Sequence, residues 1–323
     1  MEPEQNGRPQ NEREWRLLEK LLLSVQDDNR KQRRWGIVFR VLTFVYLFSI
    51  LFMFLPSRGG VQPSLSGEYT AVVDVTGVIA AGSDANADAI TAGMRDAFEA
   101  DGAKAILLRI NSPGGSPVQS NYVYNEIRRL REKYPEKKVY AVITDMGASG
   151  AYYIASAADE IYADPASLVG SIGVIMAGFG FEDAIEKVGV ERRVMTSGEN
   201  KAMLDPFSPI AKNQKQHVQK MLDTIHAQFI AAVKEGRGDR LKSDEHPEVF
   251  SGLFWTGEEA LALGLIDGLK SPGQVARDVI GVEEIEDFTA RASPLEEFLK
   301  KFGVSIGAGA VDALGIKTGP QLQ

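Results

Sequence analysis

Two apolar runs, each passing directly into a turn of small residues and then into a helix, constrain this chain more than any other feature. The first, Ala105-Ile106-Leu107-Leu108-Arg109-Ile110, meets Asn111-Ser112-Pro113-Gly114-Gly115-Ser116. The second, Lys138-Val139-Tyr140-Ala141-Val142-Ile143, meets Asp145-Met146-Gly147-Ala148-Ser149-Gly150-Ala151-Tyr152-Tyr153. Short β-branched runs bounded by Gly and Ser read as strands, and strands that alternate with helical periodicity build parallel sheets covered by helices. The pattern predicts strands over 69–75, 105–110, 138–143, 160–163, 171–175 and 192–196. It predicts helices over 87–100, 118–133, 151–158 and 181–188. Ser208-Pro209 reads as the N-cap and first turn of a further long helix, with Val218, Met221, Leu222, Ile225 and Phe229 on one face. That stripe suits a core or a subunit interface. The fold class is therefore α/β with a mostly parallel sheet, in which sites gather at the carboxyl ends of strands.

Ser149 stands at such an end. A serine flanked by small residues at a strand-to-helix junction presents a bare hydroxyl, and the helix start offers backbone N–H groups to a developing negative charge. The plain alternative is a Gly/Ser turn that merely caps a helix. One β-α unit upstream, Gly114 and Gly115 let the backbone bend so that its N–H groups line a concavity, which suits an oxyanion hole. The plain alternative there is a turn that starts the next helix. Downstream lies Ser197-Gly198-Glu199-Asn200-Lys201, followed by Met203, Leu204, Pro206 and Phe207. A lysine among apolar residues can lose its charge by desolvation and then accept a serine proton, whereas most lysines are solvated surface charges. The three histidines offer less. His217 and His226 are nine residues apart on one predicted helix, hence on nearly opposite faces, and His246 falls in a polar loop. A Ser-His-Asp triad by convergence stays open, with nothing in the pattern pointing to it.

Several motifs together resemble the signal peptide peptidase A family. They are Asn111-Ser112-Pro113-Gly114-Gly115, Ala148-Ser149-Gly150-Ala151-Tyr152-Tyr153-Ile154-Ala155, Val169-Gly170-Ser171-Ile172-Gly173-Val174, and Ser197-Gly198 with Lys201 and Pro206-Phe207. Phe254-Trp255-Thr256-Gly257-Glu258-Glu259-Ala260 and Gly264-Leu265-Ile266-Asp267 extend the match, which runs in order from about residue 69 to about 282. The resemblance implies a membrane-anchored serine endopeptidase with a Clp-protease/crotonase-like fold, a Ser-Lys dyad and no cofactor or metal. Ser149 would be the nucleophile and Lys201 the general base. Gly114, Gly115 and Gly150 would frame the oxyanion hole, and Ser171 would orient the lysine. Ala151 departs from the second glycine common in relatives, but alanine is small enough to keep the turn. With no internal repeat, the chain resembles the short, single-copy form. The resemblance further implies apolar peptide substrates such as released signal peptides, and a ring-like homo-oligomer. In the duplicated form the dyad draws one partner from each copy, so here the active sites would be built across subunit interfaces.

Composition limits the alternatives. The net charge is −8, and because residues 1–34 carry eight Lys/Arg and seven Asp/Glu, the remainder is at −9. An acidic surface argues against nucleic-acid binding. Without cysteine there is no disulfide, thiolate metal site or cysteine nucleophile. Gly178-Phe179-Gly180 lacks the third glycine of a nucleotide fingerprint. Residues 35–55 are apolar apart from Arg40, Thr43 and Ser49, about the length a bilayer core requires. Arg30, Lys31, Arg33 and Arg34 precede this stretch, and only Arg58 follows before Arg95. The positive-inside rule then predicts an uncleaved, single-pass anchor in a bacterial inner membrane, with the N-terminus cytoplasmic and the rest extracytoplasmic. The expected domains are a cytoplasmic segment over 1–34 with an amphipathic helix over 11–25, the anchor over 35–55, a linker over 56–67, a protease domain over 68–290 and a C-terminal helix and tail over 291–323. Two rival readings share the pattern. One is a crotonase-type acyl-CoA enzyme, which needs no Ser-Lys dyad. The other is a catalytically silent scaffold for membrane quality control, which an intact Ser149 and Lys201 fit poorly.

Overall fold

The structure, a computed structural model, describes residues 33–50 and 67–291 together with Trp15 and Lys20. The chain divides into two compact units, residues 1–61 with 292–323, and residues 62–291. In the first, residues 33–50 form a helix (α1) whose side chains are exposed throughout. Among the described residues no helix is long and apolar enough to cross a membrane. The expected anchor over 35–55 is described only as far as Ile50. The tail from 292 onward lies outside the described residues, as do the helix expected over 11–25, apart from Trp15 and Lys20, and the linker short of Gly67.

In the second unit strands and helices alternate as the apolar runs dictate. β1 (Tyr69–Thr76), α2 (Ala87–Glu99), β2 (Ala103–Ser112), α3 (Pro117–Lys133), β3 (Val139–Ala148) and α4 (Gly150–Ala155) are followed by β4 (Glu160–Ala163) and β5 (Leu168–Gly170). Then come α5 (Glu182–Lys187), α6 (Lys212–Arg237), β6 (Phe254–Thr256), α7 (Gly257–Ala262), β7 (Gly268–Leu269), α8 (Pro272–Gln274), a wide helical stretch over Val275–Ile280, and β8 (Ile285–Asp287). The strands join one sheet in the order β6-β5-β3-β2-β1-β8, with β4 also on β3 and β7 on β4. Among the described residues only the β5–β6 pair is antiparallel.

Period-two alternation assigns the two sheet faces. Val73, Leu108 and Ala141 point into the larger core with Met94, Phe98, Ile127 and Tyr152, beneath α2, α3 and α4. Val72, Leu107 and Val142 point the other way, into a smaller cluster closed by Val275. Burial on both faces explains why the central strands read as nearly continuous apolar runs. Helix starts follow side-chain chemistry: the Asn86 carboxamide accepts the Ala89 N–H at 2.9 Å, and Ser116 caps α3 ahead of Pro117. A buried ion pair ties the C-terminal third to the sheet. Arg237, 1% exposed, grips both Asp267 carboxylate oxygens at 2.7 and 2.9 Å, and one of these oxygens also accepts the Ile161 N–H at 2.7 Å.

β3 forks. Tyr140 to Ile143 pair with β4, while Met146 to Ala148 pair with β5. On its other edge β3 meets β2, with Ser112 opposite Gly147. The chain therefore leaves β3 at Ser149 between the ends of two parallel neighbours.

Three expectations shift. The strand expected over 171–175 is instead β5, ending at Gly170, because Ser171 takes φ 53° and turns the chain out of the sheet after a last bond from its N–H to the Leu253 carbonyl at 2.7 Å. Residues 192–196 form no strand. Among the described residues no neighbouring backbone pairs with them, and Met195 is 99% exposed. The long helix begins at Lys212 and not at Ser208, whose hydroxyl is donated to the Asp205 carboxylate at 2.8 Å and so caps nothing. Of the apolar stripe on that helix, Phe229 is buried in the core, while Met221 is exposed.

Candidate active site

Ser149 is the junction between β3 and α4, with φ 53° and ψ −124°. A side chain at positive φ is strained, and such strain persists only where surrounding bonds over-determine it. Here its N–H is donated to the Gly170 carbonyl at 2.8 Å, and its own carbonyl accepts the Tyr153 N–H at 3.0 Å, closing the first turn of α4. Its hydroxyl has no hydrogen-bond partner among the described residues. Held this way, the serine faces a cleft of about 340 Å³ at the head of α4.

The turn after β2 packs against it. Gly114 and Gly115 take φ 93° and 154°. A Cβ on Gly114 would stand 2.6 Å from the Gly150 nitrogen and 2.8 Å from Ser149 Cβ, so only bare backbone fits. The Ile79 backbone clamps this turn on both sides: its N–H is donated to the Gly114 carbonyl at 2.9 Å, and its carbonyl accepts the Ser116 N–H at 2.8 Å. The Gly114 N–H is donated to Ser112 Oγ at 3.1 Å. That leaves the Gly115 N–H without a protein acceptor among the described residues, and the Gly150 N–H is equally free. The Gly115 nitrogen lies 3.2 Å from the position a Cβ on Gly150 would take. The structure thus brings Ser149, Gly114, Gly115 and Gly150 together, with Gly114 closing the turn and the amides of Gly115 and Gly150 available.

The other expected residues stand elsewhere in the single chain. Lys201 lies on an exposed turn, its N–H donated to the Gly198 carbonyl at 3.1 Å, and does not line the cleft. Ser171 is half-buried just beyond β5, two residues from Gly173, which does line it. No histidine lines the cleft: His226 Nε2 meets the Ile172 carbonyl at 2.9 Å, and exposed His246 pairs with Glu248 at 3.1 Å.

Further residues shape the site that the sequence reading passed over. Ser112 and Ser120 are fully buried; Ser112 holds the Gly114 amide, and Ser120 Oγ packs beneath Gly150. Ser112 was visible inside its motif, but its bond to Gly114 depends on a turn no periodicity reveals. Asn121 and Tyr153 line the cleft, and the Tyr153 hydroxyl is donated to Asn121 Oδ1 at 3.1 Å. Burial, reinforced by Glu235, pushes the Tyr153 phenol up, keeping it a protonated donor.

The arrangement can do acyl chemistry: an unpaired hydroxyl beside two unpaired amides is what a tetrahedral oxyanion requires. Comparisons with known proteins bear on the same unit, and the family match includes Ser149 and Gly150. Residues 131–282 match the model of peptidase family S49. A putative protease, slr0021, of Synechocystis sp. is 36% identical over 199 residues, 62% of this chain and 69% of that one. Protease 4 of Haemophilus influenzae is 34% identical over 205 residues, 62% of this chain and 32% of that one. A Brucella abortus protein named as the Na(+)/H(+) antiporter NhaA is 49% identical over 194 residues. The match covers 60% of this chain and 26% of the Brucella protein, so the chain spans about a quarter of that relative's length. With a strand-end serine inside the matched residues 131–282 and a putative protease 36% identical over 69% of its own length, this chain belongs to peptidase family S49, the signal peptide peptidase A family.

Proposed function

We propose that the chain is a serine endopeptidase that cleaves apolar peptides, such as released signal peptides, by a Ser-Lys dyad. The observation that carries this reading is Ser149, held at positive φ with a free hydroxyl beside the unpaired amides of Gly115 and Gly150. In the proposed reaction Ser149 Oγ attacks the peptide carbonyl while the neutral Lys201 amine takes its proton. The Gly115 and Gly150 N–H groups hold the oxyanion, and the lysine returns the proton to the leaving amine. Water then attacks the acyl-enzyme by the same route, releasing the acid and restoring the serine.

Lys201 stands on an exposed turn outside the cleft, which supports a base supplied by a neighbouring copy of the chain in a homo-oligomer, with Ser171 orienting it. Exposed apolar side chains such as Phe179 and Met195 suit burial between copies. The apolar stretch over 35–55 and its basic flank support a membrane anchor, with the peptidase unit outside the cytoplasm. The chain's match to a Clp-protease/crotonase-like topology is part of the same proposal. An acyl-CoA enzyme would use the two amides but has no need of a strained serine.

A fluorophosphonate probe reacted with the full chain, followed by peptide mapping, tests the reading. Labelling at Ser149 is expected; labelling at another serine, or none, would overturn it.

A further inference from the structure

The cleft beside Ser149 has a chemistry of its own. None of its lining residues is charged, and Val118, Val174, Ile175, Ile225 and Phe229 make its walls apolar. Asn121 and Tyr153 lie about one helical turn further along α3 and α4 than Pro117 and Gly150, or about 5 Å along the helix axes. A side chain of four or five heavy atoms spans that depth from a carbonyl seated against the Gly115 and Gly150 amides.

Two carboxamides line it, those of Asn121 and of exposed Gln228, and among the described residues only that of Asn121 is oriented by a hydrogen bond. The Tyr153 ring is fixed edge-on to Tyr124 at 5.3 Å and against Phe229 at 4.9 Å. Its hydroxyl is donated to Asn121 Oδ1, so the acceptor end of the carboxamide is engaged. The two N–H donors on Asn121 Nδ2 have no partner among the described residues. An apolar pocket with one free, oriented N–H pair is a recognition device: a buried carbonyl is unfavourable in the apolar walls alone and is satisfied by that donor.

Resting on the serine-peptidase reading, we infer that this cleft receives the side chain of the residue whose carbonyl is attacked. It takes uncharged side chains about one helical turn long. The Asn121 carboxamide, positioned by Tyr153, makes glutamine acceptable there alongside leucine and methionine. Glutamate and lysine are rejected, because each would bury a charge with no opposite charge on the lining.

The test uses the full chain and five peptides identical except for Leu, Met, Gln, Glu or Lys at that position, comparing kcat/KM. Wild type is expected to cleave the Leu, Met and Gln peptides within about tenfold of one another, and the Glu and Lys peptides about a hundredfold more slowly. Asn121→Leu should lower the Gln-to-Leu ratio by about tenfold. Tyr153→Phe, which keeps the ring and releases the carboxamide, should lower it by less. Asn121→Asp should raise cleavage of the Lys peptide relative to Leu. Each ratio is internal to one variant, so a loss of folded protein cancels. If wild type is labelled at Ser149 and cleaves the Leu peptide, yet the Gln-to-Leu ratio is unmoved in both Asn121→Leu and Tyr153→Phe, the pocket inference falls and the peptidase reading stands. If wild type is neither labelled nor active on the Leu peptide, the peptidase reading falls, and this inference with it.

Discussion

The Ser149 N–H is donated to the Gly170 carbonyl at 2.8 Å, and the backbone at both ends of that bond has positive φ, 53° at Ser149 and 105° at Gly170. The bond joins the strained turn after β3 to the last residue of β5. Gly170 has little latitude, since a Cβ there would meet Trp255 Cδ1 at 3.0 Å and the Leu253 carbonyl at 3.3 Å. The position of the serine is thus fixed by an edge of the sheet as well as by its own helix.

Strain at Ser149 sets function against stability. Glycine adopts φ 53° without a side-chain penalty, so Ser149→Gly should stabilise the unit by about 1 kcal/mol while removing all peptidase activity. Ser149→Ala should be equally inactive without the gain. Thermal denaturation of both variants beside wild type checks this. A glycine variant less stable than the alanine variant would mean that the turn is not strained.

Gly150→Ala should damage turnover far more than folding. The added methyl would stand 3.2 Å from the Gly115 nitrogen, between the two free amides, and 2.4 Å from Ser120 Oγ, a buried hydroxyl that must give up its 3.0 Å bond to the Ser116 carbonyl to turn away. Loss of one oxyanion donor costs about 100- to 1,000-fold in kcat, and that range is expected here, with a loss of stability of about 1 kcal/mol for the broken Ser120 bond. Steady-state kinetics on an apolar peptide gives the answer.

Arg237 and Asp267 should behave as a buried pair that cannot be half-removed. Arg237→Met leaves a carboxylate in the interior and should destabilise by about 3–5 kcal/mol. Burial pushes the Asp267 carboxyl up, but the Arg237 hydrogen bonds and charge, the Ile161 N–H and Arg240 together hold it below its ordinary value. A folded pKa below the unfolded one contributes stability that is full above about pH 4 and is lost as pH falls through the folded value. Chemical denaturation across that range should show the acid-side loss in wild type and a flatter profile in Asp267→Asn.

A base supplied by a neighbouring copy predicts complementation. Ser149→Ala and Lys201→Ala should each be inactive, yet co-assembled mixtures should regain part of the wild-type rate, because some interfaces pair an intact serine with an intact lysine. Peptide cleavage measured against mixing ratio checks it. Silence at every ratio would put the dyad within one chain or remove Lys201 from it.

The sequence by itself determined the parallel core and the small-residue turns at its strand ends. Apolar runs of β1 to β4 read as buried strands because both their faces are covered, and the helical stretches between them set the alternation of a parallel sheet. The small residues at 114–115 and 149–150 marked the turns, since only small residues pass so close to neighbouring backbone. Tertiary structure decided which amides were free. The bonds of Ile79 to Gly114 and Ser116 and of Ser149 to Gly170 join segments far apart in sequence, and no local period records them. It also decided where regular structure stops. Ser171–Ile175 has strand-forming side chains, but a strand exists only where a neighbouring backbone pairs with it, and at Ser171 the backbone turns to φ 53° and leaves its partner after one last bond to Leu253.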